Sequence, residues 1–333
     1  MSVESPNELG AIPPIADELE CVVCHRPLNA KIHYLGGRTY CNEHFARATM
    51  GSKGTWPAMV AMIIGLVAVA LVMIAIGDNI SNEVGNNWIV AIGLLLAIVP
   101  SVLWLLVFRR LDRLEAEPHS FLFTTMILGA LVAGTIDEPL RRGLLDLHTW
   151  RPETWFASIL VQTLTQGVVQ AVTVYAVVRF SVYLTDEFDE RADGVIYGTA
   201  AGLGIAALLN FNYVLDHRGL DLDVGTSRII INALAQAALG GIVGYGLGQV
   251  KFERHVPWFA ALFVGLSAFL NGCFDWLQSE VTARDLGIEA WRGIVVAGAF
   301  AIAVFGVVYF LLRSAVAETL SIAGRSTPAS SGD

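Results

Sequence analysis

The chain has 333 residues, 55% of them hydrophobic and 15% charged, with a formal net charge of −9. So apolar a composition excludes a soluble domain of this size, whose surface would need far more charge. Residues 1–55 carry five basic and six acidic side chains, which excludes a basic nucleic-acid-binding footprint.

Residues 1–20 are polar, contain Pro13-Pro14 and read as a flexible N-terminus. Across 21–50, Cys21-x2-Cys24 is followed after 16 residues by Cys41-x2-His44, four soft or borderline ligands in two close pairs. Each short pair can turn both side chains toward one ion, as tetrahedral zinc requires. Residues 31–41 read as a hairpin turning at Gly36-Gly37, and 43–50 as a short helix carrying the fourth ligand. The stretch resembles one zinc module of a LIM domain. A closed four-ligand site folds a module rather than catalysing, so the expectation is a small zinc-binding domain with one structural Zn2+ per chain. A disulfide pair or thiol redox chemistry is the competing reading, and disulfides are disfavoured in the cytoplasm. His25 and His33 read as hairpin surface residues, and Cys273 as a small packing residue in the seventh span.

Eight apolar stretches long enough to cross a bilayer follow, at 56–77, 88–108, 120–136, 155–184, 194–215, 229–249, 257–277 and 291–312. The expected fold is therefore an all-α polytopic membrane protein of about eight transmembrane helices over 56–315, with a disordered tail at 321–333. Gly240, Gly244 and Gly248 recur every four residues, as do Gly198 and Gly202, a spacing that lets helices approach closely. With the N-terminus inside, cytoplasmic segments hold fourteen of the 21 Lys and Arg residues. That bias puts both termini in the cytoplasm and the body in the cytoplasmic membrane.

Within the spans, Gln166, Gln170, Asn210, Asn212, Gln236 and Asn271 fall largely in one layer, roughly 10–16 Å below the outer surface at 1.5 Å per helical residue. Amides in lipid are costly unless hydrogen-bonded, so these should face one another or a water-filled cavity. They make either an interhelical bonding network or a functional site. Asp275, one helical turn from Asn271, is the single acid near the layer, unless it reaches the outer interface.

From 108 to 277 the chain resembles the PrsW family of membrane proteases, which cleave substrates such as anti-sigma factors within or beside the bilayer. The resemblance is carried by Arg109-Arg-Leu-Asp-Arg-Leu-Glu-Ala-Glu-Pro118 before Leu128-Gly-Ala-Leu131, and by the acidic loop and Asp-Gly-x-x-Tyr-Gly helix start within 186–204. Gly244-Tyr-Gly-Leu-Gly248 and Phe269-Leu-Asn-Gly-Cys-Phe-Asp-Trp276 also fit. The resemblance implies two acids and then a lysine in the fourth span, where this chain has Gln166, Gly167 and Gln170. It implies a Glu-Asn pair in the fifth, here Leu209-Asn210, and His at Gln236 and Asn271. Asn210 and Asp275 keep the family residue. Zinc prefers imidazole or carboxylate ligands, and a water nucleophile needs a base, which Gln and Leu cannot be.

The expectation is thus a proteolytically inactive, PrsW-like scaffold with no catalytic residue. Its partners would be the lipid bilayer, another membrane protein or transmembrane helix, and a cytoplasmic protein docked by the zinc knuckle. Two alternatives stay open. One is an active protease that recruits Asp275, or Asp137, Glu138 and His148 of an outer loop. The other is a transporter that uses the amide layer as a polar site.

Overall fold

Long runs of Val, Ile, Leu, Ala and Gly leave the backbone nothing in lipid to pair with but itself, and helices result. A computed structural model of the chain describes residues 21, 26–28, 32–35, 38–49, 86–111, 118–137, 139–140, 154–185, 187–216, 224–252, 258–283 and 290–326. The chain divides into two compact units, Met1–Met50 with Ile322–Asp333, and Gly51–Ser321.

In the first unit, strands β1 (His33–Leu35) and β2 (Arg38–Tyr40) pair antiparallel, His33 opposite Tyr40 and Leu35 opposite Arg38. The residues between them are Gly36 and Gly37, so the expected hairpin is present. Helix α1 (Asn42–Thr49) follows at once, its first turn closed by Phe45 N–H donating to the Cys41 carbonyl.

The second unit contains α2 (Asn86–Leu111), α3 (His119–Val132) with a π-helical segment Ala133–Asp137, α4 (Trp155–Gln162), a second π segment Thr163–Gly167, and α5 (Val168–Ser181). Then come α6 (Arg191–Asp216), α7 (Val224–Phe252), α8 (Trp258–Ala283) and α9 (Ala290–Ser326). Among the described residues, six helical stretches are long and apolar enough to cross a membrane: His119–Ile136, Trp155–Ser181, Arg191–Leu215, Arg228–Phe252, Trp258–Gln278 and Gly298–Val316. Helix α2 carries a shorter apolar run, Ala97–Val107. The expected span at 56–77 lies outside the described residues. One boundary is corrected: α9 runs to Ser326, past the Ser321 at which the sequence reading begins a disordered tail. Ala315, Ala317, Glu318 and Leu320 are strong helix formers and carry the helix onward.

Helices α6 and α7 form the centre, with 78% and 83% of their apolar windows buried against 28–39% for the other spans. Their glycines explain the closeness. A Cβ at Gly198 would overlap the Gly240 carbonyl, one at Gly244 the Gly194 carbonyl, and one at Gly202 the Gln236 carbonyl. The expected four-residue glycine spacing is thus an antiparallel backbone-to-backbone seam. Around it, α2 and α3 pack on α6, α2 and α8 on α7, and the α4–α5 span on α8. Helix α9 turns Ala301, Val304, Phe305, Val308, Leu312 and Ala315 inward at helical spacing.

The acidic loop before α6 is tied down twice. Asp193 Oδ2 accepts from the backbone N–H groups of Asp189 (2.7 Å) and Glu190 (2.6 Å), reaching back as the acid of a capping box does. Lys251, at the end of α7, donates to the carbonyls of Tyr183 (2.7 Å) and Phe188 (2.5 Å) and lies 4.9 Å from the Phe188 ring centroid. Burial pushes the Tyr183 phenol up, against the opposing pull of the Arg179 guanidinium 4.3 Å from its ring.

Candidate functional site

Three of the expected amides converge. Gln170 of α5 is 3% exposed, and Gln236 of α7 and Asn271 of α8 are 2% exposed, so none can be satisfied by bulk water. They satisfy one another. The Gln170 Oε1 accepts from Asn271 Nδ2 at 2.5 Å and from Gln236 Nε2 at 3.0 Å, and Gln236 Nε2 also points at Asn271 Oδ1, 3.4 Å away. At ~1.5 Å per residue, Gln236 lies about 12 Å along α7 from Arg228, whose guanidinium stands 4.5 Å from the Tyr213 ring. Trp155 and Trp276, 6.3 Å apart, mark the same end of the bundle. Aromatic rings beside charged groups are the usual signature of a membrane–water interface.

Two glycines bring α8 close enough for this contact. A Cβ at Gly167 would overlap the Ala268 carbonyl, and one at Gly272 would overlap Thr163. Both Gly167 and Thr163 belong to the π segment, which adds one residue to the turn just before Gln170. The sequence pattern gave no sign of this bulge. Gln166 is half-buried in the same segment.

Asn210 does not join the cluster. It accepts from Asn232 Nδ2 at 2.8 Å and donates to the Ile229 carbonyl at 3.2 Å, forming a second polar clasp between α6 and α7. Asn232 was missed by sequence reasoning, although its place four residues before Gln236 was a usable signal. Leu209 and Asn212 are half-buried on α6. Asp275 is 9% exposed, one turn beyond Asn271 on α8. Asp137 ends the first π segment, while Glu138 and His148 lie outside the described residues.

Of the four expected zinc ligands, Cys21 is buried and Cys41 half-buried. Cys24 and the His44 side chain lie outside the described residues, although the His44 backbone belongs to α1. Among the described residues, no three His, Cys, Asp or Glu side chains group together.

The amide cluster predicts a double result. Replacing Gln170 by Leu removes the acceptor shared by two buried donors, which should cost roughly 1–2 kcal/mol. Replacing Gln170, Gln236 and Asn271 together by Leu leaves no orphaned donor and should recover most of that loss. Thermal unfolding in detergent checks both, and a triple variant no more stable than the single one would contradict the bonding scheme.

Residues 117–312 match the PrsW family of intramembrane metalloproteases. The chain is 30% identical to Protease PrsW of Geobacillus kaustophilus over 185 residues, 54% of this chain and 76% of that protein. It is 25% identical to Protease PrsW of Bacillus subtilis over 188 residues, 56% of this chain and 82% of that protein. It is 28% identical to Protease PrsW of Clostridioides difficile over 192 residues, 55% of this chain and 77% of that protein. No solved structure matches the chain.

Proposed function

The chain belongs to the PrsW family, and from that premise we propose that its membrane body is a non-hydrolysing member that grips another transmembrane helix instead of cutting it. The observation that carries this is the amide cluster. A metalloprotease centre needs imidazole nitrogens or carboxylate oxygens around its ion, and a base within reach of a water. The groups that converge here are three amides bonded to one another, a donor set that does not fit zinc. At 167, where the resemblance implies an acid, glycine is packed onto the Ala268 carbonyl and leaves no room for a side chain. Among the described residues no three His, Cys, Asp or Glu side chains group together around Asp275 or elsewhere, and a single carboxylate is a poor basis for hydrolysis.

Where the resemblance implies ionisable groups, Gln166, Gln170, Gln236 and Asn271 are uncharged amides that still hydrogen-bond, while Gly167 and Leu209 are not polar at all. They leave the helical frame intact and take away the proton-transfer chemistry. The body would sit in the cytoplasmic membrane with both termini inside, as the excess of Lys and Arg in the cytoplasmic segments supports. The N-terminal unit would then meet a cytoplasmic protein.

The test is a panel of fluorescently labelled single-span segments reconstituted with the purified protein. The expected result is energy transfer to the protein from at least one segment, with every segment recovered at full length. Cleavage that disappears in Asp275→Ala would establish an active protease with a displaced site. The absence of both transfer and cleavage would remove the gripping role.

A further inference from the structure

Where α2, α6, α7 and α9 meet, polar side chains are buried without the partners that burial demands. Ser101 and Thr199 are 0% exposed and Trp104 is 3% exposed, yet both hydroxyls and the indole N–H lack a hydrogen-bond partner. Unpaired polar groups at such depth are costly and rare in native structures. Helix α2 adds a fourth group. Pro100 lies inside the helix and has no N–H, so the Leu96 carbonyl four residues back loses its helical donor. In apolar surroundings such freed groups are satisfied by neighbouring helices, by hydroxyl side chains or by ordered water. The Ser101 hydroxyl beside the proline does not serve.

The side chains border one junction. Ser101 and Trp104, three residues apart, share a side of α2. The Trp104 ring lies 5.8 Å from that of Phe305 on α9. Val308, the next turn of α9, flanks Gly241 of α7. A Cβ at Gly241 would come 2.9 Å from Val308 Cγ1 and 2.9 Å from Thr199 Oγ1. Trp104 and Thr199 thus both border the stretch of α9 from Phe305 to Val308. This junction is separate from the amide cluster, since Gly241 lies about 8 Å along α7 from Gln236.

We propose that internal water occupies this junction and supplies the missing bonds. The inventory of groups fits. The indole N–H only donates, the Leu96 carbonyl only accepts, and the two hydroxyls do either. Water that accepts from Trp104 has its own protons to give to a hydroxyl or to the carbonyl, and buried water commonly makes about three such bonds. Interior spaces that stay dry are lined by apolar groups, and this one is not. A larger ligand has no route to hydroxyls that are 0% exposed. The water links α2 to α6 beside the inward stripe of α9.

The test uses the full-length protein in detergent, with its tryptophan indoles isotope-labelled for nuclear magnetic resonance. The Trp104 signal is identified by its loss in Trp104→Phe. A magnetisation-transfer peak from that indole proton to water is expected in the unsubstituted protein. A peak to detergent chains instead, or none, would overturn the proposal. Thermal unfolding gives a second readout whose sign separates wet from dry. Thr199→Val and Ser101→Ala each remove a hydroxyl with little change of shape. With water bonded to them, each change should lower the melting midpoint by about 2 °C or more. A midpoint that stays or rises would mean that the hydroxyls are dry and unpaired, and the proposal fails.

Discussion

A chain carrying Gln170→Glu, Gln236→His and Asn271→His should bind one zinc ion more than the unsubstituted protein. The reason is geometric. The polar atoms of the three amides stand 2.5, 3.0 and 3.4 Å apart. Ligand atoms around tetrahedral zinc, each roughly 2.0–2.2 Å from the ion, are about 3.3 Å from one another. Two imidazoles and a carboxylate grafted onto these backbones therefore start near the required separation. Deep burial would strengthen the attraction of the carboxylate for the ion. The added ion should be detectable by metal analysis, and cobalt in its place should show tetrahedral visible bands without thiolate charge transfer. The same variant should cut no peptide bond, because Gly167 leaves no room for a base beside Ala268. A properly folded variant with an unchanged metal count would show that the cluster no longer has the geometry of a metal centre. Cleavage by it would show that position 167 is dispensable.

That cluster was legible in the sequence to a definite depth. Gln170, Gln236 and Asn271 stood out because each amide sits in an apolar run, where an unbonded amide is too costly to keep. Apolar length alone marked the helices, and the Gly-x3-Gly spacing marked the seam between α6 and α7. The pairing of the amides was harder to read. Asn210 was expected in the common layer, yet it joins Asn232, because helices packed through glycines bring nearest neighbours together before more distant ones. The packing role of Gly167 could not be read either. It depends on a π turn and on how closely α8 crosses it, and neither leaves a periodicity in the chain. A glycine that looks like a mere gap in the sequence is, in three dimensions, a close contact between helices.

The second large effect follows from that seam and separates two glycines that composition treats alike. Gly244→Leu should destabilise the body by about 3 kcal/mol or more, a steep loss for a surface-neutral change in residue size. Its Cβ would overlap the Gly194 carbonyl and crowd the Gly198 Cα 3.0 Å away, and backbone atoms cannot move aside by changing rotamer. Gly265→Leu, on a lipid-facing side of α8 with nothing within 4 Å of the added carbon, should stay within about 0.5 kcal/mol of the parent. Thermal unfolding of both variants in one detergent provides the comparison, and equal losses would mean that lipid exposure, not helix contact, sets the tolerance for size. The seam also governs the amide cluster. The Gln236 carbonyl lies where a Cβ of Gly202 would be, so Gly202→Ala must push α7 away from α6 and carry the Gln236 amide with it. Glycine packing thus holds these backbones in place independently of the polar side chains they position.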